Sequence, residues 1–287
     1  MGKIGIVTCS TSGLDYLQGY DDIRIARTTI IMDHQEYYDG QNLSPQEFYD
    51  RLDTLEIIPS TAQPSTGQLL DIYENMRLDG YTDIIYISIS SHLSGTYQGV
   101  CLSQTYIEDL NIYPFDSKSA SFITGFMATE AHRMAKEGSD VDAILAHLSE
   151  LRDHDRVYFM VDNLSYLVKN GRLSNSSAFI ASMLKIKPLL EINPEGKIVA
   201  REKIRTSKRA MDQVIQSFLD DTNMGKNARF MFLFNTDAPE KVAYVKSRLE
   251  DVGIDTSKLI DSPISPAIGC HVGKGIIGIG YINMPKQ

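Results

Sequence analysis

The stretch Ile84-Ile85-Tyr86-Ile87-Ser88-Ile89 constrains this chain more than any other. A run that stays apolar without a polar alternate reads as a strand buried on both faces, the mark of a parallel sheet covered by helices. It ends in Ser90-Ser91-His92-Leu93-Ser94-Gly95-Thr96-Tyr97, and residues 97–108 read as a helix. In such sheets ligands collect at the strand's C-terminal end, because free N–H groups at the next helix start attract an oxyanion. Ser94, Gly95 and Thr96 offer two hydroxyls and backbone N–H groups to a carboxylate or phosphate. The same residue types also make an ordinary helix cap.

The rest of the first half repeats this pattern. Residues 3–7 form an apolar run that ends in Thr8-Cys9-Ser10-Thr11-Ser12-Gly13, and residues 23–32 have the β-branched content of one further strand. Residues 33–42 are a polar excursion. Ser44-Pro45-Gln46-Glu47 is a capping box with proline at the first helical position. Pro59-Ser60-Thr61-Ala62-Gln63-Pro64-Ser65 reads as an extended loop, with Ser65 capping a helix to about residue 79. A strand over 112–115 leads into Asp116-Ser117-Lys118-Ser119, followed by helices over 121–137 and 141–152. Residues 1–155 are therefore expected to form an α/β domain with a doubly wound parallel sheet.

Beyond this point the order changes. Strands over 157–161, 187–192, 197–204, 230–234, 258–261 and 275–282 are mixed with helices over 164–170, 176–184, 207–221 and 239–252. Asn193-Pro194-Glu195-Gly196 is a hairpin signal. The expectation for 156–287 is an α+β domain with a mainly antiparallel sheet, and a ligand site between the two domains.

With 43% hydrophobic residues the 287-residue chain can bury a sizeable core. Its net charge of -9 argues against nucleic acid as the main partner, and no helix-turn-helix signal is present. Cys9, Cys101 and Cys270 are far apart, as expected of reduced thiols. No apolar stretch reaches the length of a membrane span, and the N-terminal run is too short for a signal peptide, so the expected location is cytoplasmic. Charge is uneven: ten basic and three acidic residues lie between Lys169 and Arg209. That segment is either a solvated face or a basic surface for an acidic or phosphate-bearing partner.

Several chemistries fail on spacing. The six histidines do not pair at i,i+3 or i,i+4 and no C-x-x-C occurs, so no metal site is expected. Gly273, Gly275 and Gly278 have dinucleotide-loop spacing, but an apolar strand follows them where a helix is required. Those glycines are better explained by close approach of backbone to a ligand or another strand. His271, among glycines and just before a strand, has no evident helical face to bury it, and could hold an anion if hydroxyls lie near. Asp116, at a strand end, is the best single acid or base. A hydrolase or transferase acting on a small acyl or phosphorylated substrate, with Ser94 and either His271 or Asp116, is one open reading.

Taken together, these segments resemble the DegV family, the fatty-acid-binding proteins of bacteria. The likeness rests on motifs in order: Thr61-Ala62-Gln63-Pro64-Ser65, Ser90 to Tyr97, Asp116-Ser117, Leu164-Ser165-Tyr166-Leu167 with Gly171-Arg172, Lys187-Pro188, Lys203-Ile204-Arg205-Thr206, and Gly269-Cys270-His271 with Gly273 and Gly275. The resemblance implies a carrier with no catalysis and no cofactor of its own. It would hold one long-chain fatty acid and present the carboxylate to an ATP-binding fatty acid kinase subunit for acyl phosphate formation. Transient membrane contact would accompany that role. Carried over, Thr61, Ser94, Gly95 and His271 would hold the carboxylate, and Arg172 and Arg205 would belong to the kinase-facing surface. Three positions depart from the family pattern: Cys9 where an Asp is usual, Ala62 where a Ser is common, and Lys274 in place of a Pro. Ala62 would remove a hydroxyl near Thr61, and Lys274 would add a positive charge beside His271.

Overall fold

The computed structural model describes residues 2–174 and 186–283. Its first sheet is parallel, in the order β2-β1-β6-β7, with β1 Ile4–Cys9, β2 Arg24–Ala26, β6 Asp83–Ser88 and β7 Asn111–Asp116. As expected, helices cover both faces of β6. Ile85 and Ile87 pack against Phe122, Ile123 and Met127 of α4 (Phe122–Lys136) and Leu148 of α5 (Val141–His154). Ile84 and Tyr86 point the other way, into Leu69 and Tyr73 of α2 (Thr66–Leu78) and Val100 of α3 (Thr96–Ser103). Alternate side chains of one strand thus enter different cores, so an unbroken apolar run is what the position requires.

The second sheet has the order β10-β9-β8-β13-β11-β12: β8 Asp155–Met160, β9 Leu189–Ile192, β10 Ile198–Glu202, β11 Ala228–Asn235, β12 Ile260–Pro263 and β13 Ile277–Asn283. Every pairing is antiparallel except β11 with β12. On one face lie α7 (Ser207–Asp221) and α8 (Pro239–Glu250), burying Met211, Val214, Phe218 and Leu249. On the other, Phe122 of α4 meets Phe230 and Phe232 at 5.7 Å between ring centroids, and Phe126 stacks on Phe230 at 3.9 Å. The α4 helix therefore packs on both sheets. The glycines of β13 are explained on this side: a Cβ on Gly278 or Gly280 would enter the volume held by Phe234, Phe159 and Phe232.

Residues 29–62 depart from expectation. The single strand expected over 23–32 is two: β2 joins the parallel sheet, while β3 (Thr29–Met32) turns away into a separate three-stranded sheet. Its other members are β4 (Gln35–Tyr38), inside the expected polar excursion, and β5 (Ser60–Ala62), inside the expected loop. Short strands rich in polar residues give no alternation to read. Ile30 and Met32 on its inner face pack on Phe48 and Leu52 of α1 (Pro45–Leu52) and on Ala267 and Cys270 of α9 (Pro266–Val272). The helix expected to run to 108 ends at Ser103 in a 3-10 turn, Gln104–Tyr106, and the strand expected at 258 begins at Ile260. The helix expected over 176–184 lies outside the described residues.

The loops that follow β6 and β7 are tied together and to the second sheet. Ser90 N–H donates to Ser119 O at 2.8 Å. Ser90 Oγ donates to Gly196 O at 2.7 Å, docking the β9–β10 hairpin onto the loop after β6. At Gly196, with φ +85°, a Cβ would strike that same Ser90 hydroxyl.

Candidate functional site

A cavity of about 590 Å³, counting its open mouth, lies where these loops meet β5, the short α6 (Ser165–Lys169) and α9. Its wall is apolar, with Ile89, Leu93, Leu167, Ile198, Ile268 and Val272. Thr11, Thr28, Thr61, Ser94, His271 and Arg172 supply its polar groups.

Each polar group is placed by a different element. Thr61 sits on β5 opposite Ile30 of β3, and that register aims it inward. Ser94 lies in the turn before α3, where its Oγ is 2.8 Å from Thr96 Oγ1 and accepts from Thr96 N–H at 3.3 Å. His271 is on α9, and this corrects the expectation that it has no helical face. Ala267, Ile268, His271 and Val272, one turn apart, all line the cavity. The helix was signalled by Ser265-Pro266, an N-cap followed by proline at N1, and Ser265 Oγ accepts from Ile268 N–H at 3.5 Å. The buried Asp39 adds a second cap, its Oδ1 accepting from Ala267 N–H at 3.2 Å.

Thr61 Oγ1 and His271 Nε2 are 2.8 Å apart. Burial, with the Arg172 guanidinium close by, pushes the imidazole down to about 4, so His271 is neutral at pH 7. Its Nδ1 is buried without a partner among the described residues. A buried N–H without an acceptor is rarer than a bare lone pair, so the network assigns the proton to Nε2. Nε2–H then donates to Thr61 Oγ1, which frees the Thr61 proton for an incoming oxyanion.

Arg172 is half-buried. Its Nε donates to Leu93 O at 3.2 Å, and Nη1 donates to Asn170 O. Arg205 is exposed and lines a different hollow, with Glu202, Arg209 and Asp212. The structure therefore sets Arg172 in the cavity wall and leaves Arg205 outside it. Gly95 does not line the cavity either; the Gln63 side chain lies over it. Ala62 is exposed, on the strand face opposite Thr61, so a hydroxyl there would not reach the cavity. Lys274 turns to Asp53 at 2.8 Å and Asp237 at 3.9 Å rather than to His271. Cys9 is fully buried with Sγ 2.8 Å from Thr11 Oγ1, and burial pushes its thiol up. Thr11 and Thr28 are not marked as site residues by the sequence, since hydroxyls in loops carry no periodic signal.

Ser94 has no hydrogen bond to His271 or Asp116 among the described residues. Asp116 Oδ1 instead accepts from Ser91 N–H at 3.2 Å and Lys118 N–H at 2.9 Å, a loop cap. A nucleophile with its base in reach is not what this cluster presents. Hydroxyl and imidazole donors with one guanidinium in an otherwise apolar cavity suit a carboxylate attached to a hydrocarbon. No group of side chains suited to a metal ion occurs among the described residues, and none of their helices is long and apolar enough to cross a membrane.

Comparisons with known proteins agree with this fold. The chain is 34% identical over 283 residues to a DegV domain-containing protein of Staphylococcus aureus, spanning 98% of this chain and 97% of that protein. The structure of a fatty acid binding DegV family protein from Streptococcus agalactiae superposes with a TM-score of 0.90 at 29% identity, covering 99% of this chain and 100% of that one. DegV of Bacillus subtilis, described as a fatty acid binding protein, gives 0.88 at 28% identity, covering 99% of this chain and 100% of that one. The DegV family profile matches residues 3–284, and the chain belongs to that family.

Proposed function

We propose that this protein binds one long-chain fatty acid in the cavity and presents its carboxylate to a separate ATP-binding kinase subunit, which phosphorylates it to an acyl phosphate. The observation that carries the reading is that Thr61 and His271, in contact at 2.8 Å, line one apolar-walled cavity together with Ser94. Lining residues come from both 1–155 and 156–287, which supports a ligand held between two domains.

The energetics suit a carrier. Burying an acyl tail contributes roughly 0.8 kcal/mol per methylene, on the order of 10 kcal/mol gross before binding costs. Head-group hydrogen bonds to a charged group, about 1.5–3 kcal/mol each, mainly orient the carboxylate. Arg172 and the basic surface around Arg205 would face the kinase and the phosphoryl group it delivers, and the tail would be acquired in transient contact with a membrane. Incubation with a fatty acid, removal of excess, denaturation, organic extraction and mass spectrometry test the reading. Recovery of one equivalent supports it; no recovered fatty acid sinks it.

A further inference from the structure

One polar side chain between the Thr61 and Ser94 segments is so far without a role. Gln63 follows Thr61 by two residues and reaches across to the first turn of α3. Its carboxamide lies on Gly95 and Gly99, which are four residues apart on one helical face and joined by a Gly99 N–H to Gly95 O bond of 2.9 Å. A Cβ on Gly99 would be 2.7 Å from Gln63 Nε2 and one on Gly95 would meet Oε1, so a side chain at either position would push the Gln63 amide off the helix. Thus α3 carries a shallow groove, made by two glycines, that the Gln63 amide fills. Gly95 is the N-cap, where glycine is well tolerated, but Gly99 is inside the helix and costs about 1 kcal/mol relative to alanine, so its place there needs a reason.

The neighbours of this contact supply one. Thr61 precedes Gln63 and Ser94 precedes Gly95, so the contact joins the two segments that carry the head-group hydroxyls. We infer that Gln63 is a positioning residue: seated on Gly95 and Gly99, it fixes β5 against α3 so that Thr61 and Ser94 address one carboxylate together. This inference rests on the fatty-acid reading above. Gln63 acts through the two hydroxyls and leaves the apolar wall alone, so it sets preference for the acid head group rather than tail affinity.

The test compares hexadecanoic acid with its methyl ester, which shares the tail and lacks the charge. Affinities for both are measured for wild type, Gln63→Ala, Gly99→Ala and the double variant, with a thermal melt confirming that each is folded. Gly99→Ala favours the helix intrinsically, so it keeps the test open if Gln63→Ala unfolds. The expected result is a drop of roughly fivefold to tenfold in acid-over-ester preference for each single variant, the scale of one hydrogen bond. The double variant should lose no more than the worse single one, because both break one contact. Wild-type preference in either folded single variant, or losses that multiply in the double, would overturn the inference. If wild type binds neither probe, it is the fatty-acid reading itself that fails.

Discussion

Thr61 Oγ1 and His271 Nε2 stand 2.8 Å apart across 210 residues of sequence. The contact divides two tasks that a charged residue would combine. In the proposed carrier His271 would fix the rotamer of the Thr61 hydroxyl, leaving that hydroxyl to address the carboxylate. Neither carries a formal charge, so this pair adds no buried ion of its own to the cavity.

Replacing Thr61 or Ser94 by alanine should therefore separate affinity from presentation. Tail burial dominates binding, so fatty-acid affinity is expected to fall by no more than about tenfold, one hydrogen bond's worth. Phosphorylation of the bound acid in a kinase-coupled assay should fall further, because an unoriented carboxylate meets the phosphoryl group poorly. Equal phosphorylation by mutant and wild type would contradict the assignment.

Acid stability should carry opposing signatures of His271 and Asp39. The imidazole sits near 4 when folded against about 6.5 unfolded, so its contribution is lost as pH falls through that window. Asp39 is buried, which pushes its carboxyl up to about 6 against about 3.9 unfolded. Its contribution is complete at low pH and lost as pH rises through 6. Between pH 6 and 4, Asp39→Asn should lose stability on acidification more steeply than wild type and His271→Gln less steeply, read by urea unfolding at each pH. Identical slopes in all three would refute the burial assigned to these groups.

Gly273 has φ 73° and ψ -170°, a region essentially confined to glycine, and a Cβ there would be 2.8 Å from the Tyr166 ring. Gly273→Ala should destabilise the fold by about 2–3 kcal/mol. Because Gly273 directly follows the last turn of α9, the melt should show weaker ligand-induced stabilisation as well as a lower midpoint.

Lys274→Ala, by contrast, should leave fatty-acid affinity within about twofold of wild type. Its ammonium is committed to Asp53 and Asp237, and exposed pairs of this kind contribute about 0–1 kcal/mol to stability. A large drop in affinity would show that the charge reaches the cavity after all.

Much of this was legible in the sequence because the chemistry is periodic or punctuated. The Ile84–Ile89 run announced a strand covered on both faces, and Asn193 to Gly196 announced the β9–β10 hairpin. Thr61, Ser94 and His271 were legible as motifs, whereas their convergence depends on α9, a seven-residue helix whose only sequence signal is its Ser265-Pro266 start. The β3-β4-β5 sheet was hidden because three- and four-residue strands rich in Thr, Gln and Ser carry no alternation. Gln63 was hidden for another reason: its contact is with glycines, which reveal nothing until something is seen lying on them.

Strand order in the second sheet bears on how the protein is made. β13 lies between β8 and β11, yet follows both in the chain. Until it is synthesised, each of those strands has an open edge, and the Phe159, Phe232 and Phe234 rings lack the Gly278 and Gly280 backbone that lies against them. His271 is made only just before this strand. A nascent chain on the ribosome therefore keeps two strand edges and these aromatic rings uncovered until almost all of it has been made, and the Thr61–His271 contact cannot form before that stage either.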